Sequence, residues 1–174
     1  MASIVIDYDN NNLEKIAELA GGNPDNTIYI DEAFHVEGVT QEALDAALVI
    51  YNDNFEEHCL IPFRQYKKDE FARQSARFID ERYPTYRREL FLALSQEARG
   101  NDLTNRLAYI NQLMTWVITV VEATIVAENS LDALTDTASI NTAVLDLSSF
   151  EATDPEITIQ AALAIEESSG PQFV

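Results

Sequence analysis

One cysteine, two histidines, five glycines and no lysine or arginine after Arg106 leave this 174-residue chain poor in the groups that usually carry chemistry. A lone Cys59 excludes a disulfide within the chain, so stability must come from packing. Gly21, Gly22, Gly38, Gly100 and Gly170 fall in no spacing that cradles a phosphate, and no serine stands in a nucleophile-elbow context. The opening residues Met1-Ala2-Ser3-Ile4-Val5-Ile6-Asp7 lack a basic start, so no signal peptide is expected. The most apolar window, Trp116 to Ala127, is interrupted by Glu122 and falls short of the ~20 residues that cross a bilayer. It is expected to be a core helix, with no membrane contact.

What is present is acid. The net charge is −19, which argues against direct nucleic-acid binding, because that requires clustered Lys and Arg to displace counterions from phosphates. The charge is also segregated. Residues 1–63 hold thirteen acids against Lys15, and residues 107–174 hold ten acids and no base. Ten of the eleven bases fall between Arg64 and Arg106, among seven acids. Such a chain can pair its own ends with its middle, or pair the same surfaces in neighbouring copies, so the pattern points to contact surfaces rather than to catalysis.

The expected fold is mainly α: an antiparallel helical bundle with a small N-terminal α/β head and a C-terminal arm ending in a short helix. The boundaries fall at 1–38 for the head, 39–128 for the bundle and 129–174 for the arm. In the head, Ser3–Tyr8 reads as a strand, Asn11 or Asn12 caps a helix over Leu13–Ala20, and Gly21-Gly22-Asn23-Pro24 turns the chain. A hairpin follows, with strands at Thr27–Asp31 and Phe34–Glu37. Thr40 caps a helix running to about Cys59, a second helix starts near Pro62 and ends at Pro84, and a third carries Tyr86 to Ala98. The fourth is capped by Asp102. Its Leu103, Leu107, Ile110, Met114, Val117 and Val121 step 4-3-4-3-4 like a coiled-coil seam, widened by Leu113, Trp116 and Val120. Residues 130–139 read as polar turn, 143–150 as extended, and Pro155 opens the last helix.

Two groups invite a chemical reading. Asp7, Asp9, Asn11 and Glu18 take the first, third, fifth and twelfth places of a calcium loop, but Asn12 stands where that loop needs glycine and Leu13 and Ile16 begin a helix through it. A polar strand-to-helix turn is the preferred reading. Glu56-Glu57-His58-Cys59 suggests a metal or thiol site. Phe55, not an acid, lies three residues before His58, and adjacent helical side chains diverge by ~100°. Catalytic, metal and cofactor residues are therefore expected to be none. The bases Arg64, Lys67, Lys68, Arg73, Arg77, Arg82, Arg87 and Arg88 interleave with aromatics as two amphipathic helices would.

Val36-Glu37-Gly38-Val39-Thr40-Gln41-Glu42-Ala43-Leu44 and the residues that follow resemble the strand-turn-helix opening of small tail-fibre and tail-associated bacteriophage proteins. Leu145-Asp146-Leu147-Ser148-Ser149-Phe150 with Thr153-Asp154-Pro155 resembles a C-terminal passage of proteins from the same gene neighbourhoods. The resemblance implies a non-enzymatic virion component, made in the host cytoplasm, that assembles with other virion structural proteins or with further copies of itself. A tail-fibre assembly chaperone and an acidic regulatory binding protein are the alternatives. The expected interface combines Arg73, Arg77, Arg87 and Arg88 with Leu147, Phe150, Ile157, Ile159 and Leu163 of the arm.

Overall fold

A computed structural model describes residues 1–84 and 104–153. They are mainly helical, with a small three-stranded antiparallel sheet at the N-terminus. By packing, the chain divides into two units: Met1–Asp69 with Asn129–Ala143, and Glu70–Glu128 with Val144–Val174. These limits differ from the sequence boundaries at 38 and 128, because helix α2 (Gln41–Asp53) packs on the N-terminal elements instead of starting a separate body.

In the first unit, β1 (Ala2–Val5), β2 (Thr27–Ile30) and β3 (Ala33–Val36) lie in the order β1-β3-β2. Ala2, Ile4, Phe34 and Val36 alternate onto the inner face, where α1 (Leu13–Leu19) adds Leu13, Ile16 and Ala17, and α2 adds Leu44 and Tyr51. Each large side chain so buried contributes about 1.5–3 kcal/mol of transfer free energy. Asn12 caps α1 by accepting from the Lys15 amide, and Thr40 caps α2 by accepting from the Ala43 amide. The Gly21 and Gly22 amides close α1 onto the Glu18 and Ala17 carbonyls, and Gly21 takes the positive φ of 77° that this motif needs. Gly22 has a second reason to be glycine, since a Cβ there would meet the Val36 side chain at 2.7 Å.

Pro62 does not separate two helices. After Asn54 the chain makes a π-helical turn, Glu56–Leu60, and passes directly into α3 (Ile61–Arg82). Proline has no N–H to donate to the carbonyl four residues back, that of His58. The Asn12 side-chain amide donates to that carbonyl instead, at 3.0 Å. The same unit contains α5 (Thr137–Thr142), capped by Asp136 where the sequence suggested only turn. Its Ile140 is fully buried.

The second unit contains the far end of α3, most of α4 (Thr104–Ser130), and α6 (Ser148–Ala152). Trp116 is its centre: Phe78 stacks on it with centroids 5.8 Å apart, Tyr83 meets it edge-on at 5.5 Å, and its indole N–H donates to the Phe150 carbonyl. The buried face of α4 differs from the expected seam. Ile110, Leu113, Trp116, Val120 and Thr124 are buried, whereas Met114 and Val121 are exposed and Val117 is half-buried. The apolar arc of this helix is wide enough for two faces, and the one turned inward is the one on which Trp116 meets Phe78, Tyr83 and the Phe150 carbonyl. The expected third helix, the Asp102 cap and the helix opened by Pro155 lie outside the described residues.

Candidate functional site

The strand-to-helix loop Asp7–Asn12 is where the sequence came nearest to a metal site; the Asp7 carboxylate is engaged within the loop, and Asn10 and Asn12 bond to distant parts of the chain. The Asp7 carboxylate accepts from the Asp9 amide and from the Asn10 side chain, and the Asp7 carbonyl accepts from the Asn11 side chain. The Asn12 amide donates to the Tyr51 hydroxyl at 2.8 Å, and the Thr137 hydroxyl donates to Asn10 Oδ1 at 2.8 Å. Among the described residues, no three His, Cys, Asp or Glu side chains converge as a metal ion requires.

Glu56-Glu57-His58-Cys59 forms the π-helical turn, and its members face different ways. Glu56 pairs with Arg64, whose side chain is 11% exposed and whose guanidinium also donates to the Leu134 carbonyl at 3.2 Å. His58 stacks on the Tyr51 ring. Cys59 is buried, with its thiol 3.7 Å from the Asn10 carbonyl. Burial pushes the Cys59 thiol above its ordinary range, the reverse of what a nucleophile needs. Burial likewise raises the Tyr51 phenol, with a smaller contribution from its hydrogen bond to Cys59. The turn, the loop and α5 thus form one polar latch, assembled from residues up to 127 positions apart.

The bases follow the charge pattern only in part. Lys68 pairs with Asp132 at 2.8 Å, Arg82 pairs with Glu151 while its guanidinium lies 3.9 Å above the Phe78 ring, and Arg77 pairs with Glu81 one turn on. The middle of the chain therefore meets its acidic flanks within each unit. Of the expected interface residues, Arg73 and Arg77 are exposed on α3, and Arg87, Arg88, Ile157, Ile159 and Leu163 lie outside the described residues. Leu147 is buried, and Phe150 is half-buried with its carbonyl held by Trp116, so both serve the chain's own packing. The arm expected from residue 129 is accordingly drawn into the chain's own cores at Leu131, Ile140, Leu145 and Leu147.

Among the described residues, three further surfaces stand out. An open groove in the second unit, lined by Asn111, Thr115, Trp116, Thr119, Ser149 and Phe150, presents threonines whose hydroxyls turn back to their own helix. On α4, Met114, Ile118, Val121 and Ile125 form an exposed stripe at 4-3-4 spacing. The stretch Ile110–Ala133 is long and apolar enough to cross a membrane by length and composition, a correction to the shorter window read from sequence. The same stretch buries one face, through Leu113, Trp116 and Val120, and carries Asn111, Gln112, Thr115, Thr119 and Glu122 exposed on another. The third surface is the outer face of the sheet, where Val5 (83% exposed), Ile28 (48%) and Ile30 (53%) stand beside Ala33 and His35. No sequence signal flagged it, although the alternation in Thr27-Ile28-Tyr29-Ile30 contained it, since both faces of that strand carry large apolar side chains. Comparison with protein-family models, with curated proteins and with solved structures finds no match for this chain.

Proposed function

We propose that this chain is a non-enzymatic structural or adaptor subunit of a tailed-phage virion, in the tail, baseplate, fibre attachment or neck. The observation that carries the reading is a surplus of charge and apolar surface that the chain does not consume. Thirty acids face eleven bases, and large apolar side chains stand exposed on the sheet and on α4. A subunit that assembles through shape and charge needs both. The placement in a phage tail rests on the two sequence passages around Gly38-Val39-Thr40 and Thr153-Asp154-Pro155. In this reading the helices complete an antiparallel bundle, residues beyond Thr153 act as the assembling arm, and the partners are virion proteins or further copies, with no membrane and no direct nucleic-acid contact.

The −19 charge supports a second reading, an acidic regulatory protein that occupies basic surfaces. Mass spectrometry of particles purified from an infected culture carrying the gene separates the two. The adaptor reading expects the chain in finished particles at fixed copy number, and loss of incorporation when residues 154–174 are deleted. Absence from finished particles with presence on assembly intermediates would make it an assembly chaperone, and absence from both would overturn the virion reading.

A further inference from the structure

Strand β2 is an open edge. The Glu37 amide donates to the Asn26 carbonyl, and β2 pairs with β3 in the register Ile28 with His35 and Ile30 with Ala33. In an antiparallel ladder this parity makes Asn26, Ile28 and Ile30 the residues bonded to β3, and it turns the N–H and C=O of Thr27 and Tyr29 away from it. Among the described residues, nothing bonds to those outward groups. The opposite edge is closed: the Gln41 side chain accepts from the Ser3 amide and donates to the Ser3 carbonyl, occupying β1 as a neighbouring strand would.

The open edge adjoins the apolar outer face of Val5, Ile28, Ile30 and Ala33, and acids surround it. Asp25 precedes the strand, Asp31 and Glu32 form the hairpin tip, and Glu37 follows β3; all four are exposed. The tip is telling because both of its residues have positive φ, 52° and 61°. Such a two-residue turn favours Asn-Gly, so two acids are held there against local preference.

We propose that this edge and face take an extended segment of a different protein as a fourth strand, apolar at alternate positions and flanked by Lys or Arg. Strand addition supplies backbone bonds at Thr27 and Tyr29, alternate side chains cover Ile28 and Ile30, and the basic flanks meet Asp25, Asp31 and Glu32. The charge argues against a second copy as occupant. Pairing β2 with β2 would bring acidic ends together, and each further copy adds the same −19. Lys68, Arg77 and Arg82 already have acidic partners within the chain. The proposal rests on the adaptor reading only for its biological setting.

The test uses the full chain and a synthetic probe, Lys-Lys-Val-Thr-Val-Thr-Val-Lys-Lys, against the same peptide with glutamate flanks. The lysine-flanked peptide is expected to bind, to slow amide exchange at Thr27 and Tyr29, and to weaken about tenfold from about 50 to about 500 mM NaCl as the flanking charges are screened. Asp31→Asn with Glu32→Gly relaxes the turn and should weaken peptide binding about threefold or more while raising Tm, so lost binding is not lost folding. Four outcomes would overturn the proposal: equal binding of the glutamate-flanked peptide, binding without protection of Thr27 and Tyr29, no binding at all, or a dimer dispersed by Ile28→Lys. None of these bears on the particle measurement, so the docking site and the virion assignment can fail separately.

Discussion

The two units of this molecule solve the same problem with different groups. The first sets four-residue strands and a seven-residue helix against the longer α2, and those short elements, unable to satisfy their own ends, close through side chains bonded to distant groups. Asn12, Tyr51, His58 and Thr137 all take part. The second is built from long helices whose backbone is satisfied internally, and it closes on aromatic packing around Trp116. A polar cluster in the first unit is therefore weak evidence of chemistry, because short elements demand such clusters for closure alone. The exposed surfaces differ too: the sheet face is ringed by acids, whereas the sequence from Met114 to Ile125 carries a single charge, Glu122. A partner of the sheet face should be salt-sensitive, and a partner of the stripe much less so.

The comparison breaks most easily at Trp116. Trp116→Ala removes the stacking on Phe78 and Tyr83 and the bond to the Phe150 carbonyl, and should cost about 3–5 kcal/mol in urea unfolding. A loss under about 1 kcal/mol would mean that the aromatic cluster is not what holds the second unit. Tyr51→Phe keeps the ring and deletes one hydroxyl, leaving the Asn12 amide unpaired, and should cost about 1–3 kcal/mol. It also carries a pH signature. Burial raises both Tyr51 and Cys59 above their ordinary values of 10.0 and 9.0, so the folded state favours their neutral forms. That stability is fully present below those values and is lost as pH climbs through the higher folded ones, so the urea midpoint should fall on the alkaline side. The fall should be shallower in Tyr51→Phe; an unchanged slope would place the alkaline sensitivity elsewhere. Asp31→Asn with Glu32→Gly should work in the opposite direction, stabilising by about 1 kcal/mol as the turn relaxes and raising Tm by about 2–4 °C. A drop in Tm would mean that these acids make a stabilising contact in the folded chain.

Much of the local structure was legible in the residues. Thr40, Asn12 and the Gly21-Gly22 pair announce caps and turns because those roles depend on side chains within a few positions. The hairpin was also legible, one residue out, since its strands are Thr27–Ile30 and Ala33–Val36 with the turn at Asp31-Glu32, rather than Thr27–Asp31 and Phe34–Glu37. The start of α3 near Pro62 was legible, but the end of the helix before it was not: α2 stops at Asp53 rather than about Cys59, and the π-helical turn that leads into α3 is bonded by Asn12, which reaches the His58 carbonyl from 46 residues away. The seam of α4 was rotated for a related reason. Leu107 to Val121 offers apolar residues over more than half the helix circumference, and only the partners, Phe78, Tyr83 and Phe150, select a face. The latch joining Asn10 to Thr137 leaves no local trace at all, and Asp136, which caps α5, was passed over as part of a polar turn.

The Asp7–Asn12 loop acts as a structural latch. Hydrogen exchange at the Asn12 amide tests it most directly, because that amide lies outside every helix and strand and its bond is to a side chain, the Tyr51 hydroxyl. It should exchange as slowly as the buried amides of α2, Tyr51→Phe should release it, and added calcium should leave it unchanged. Exchange at the rate of an open loop in the wild-type chain, or protection that appears only with calcium, would contradict the latch and return those carboxylates to the candidates for a metal site.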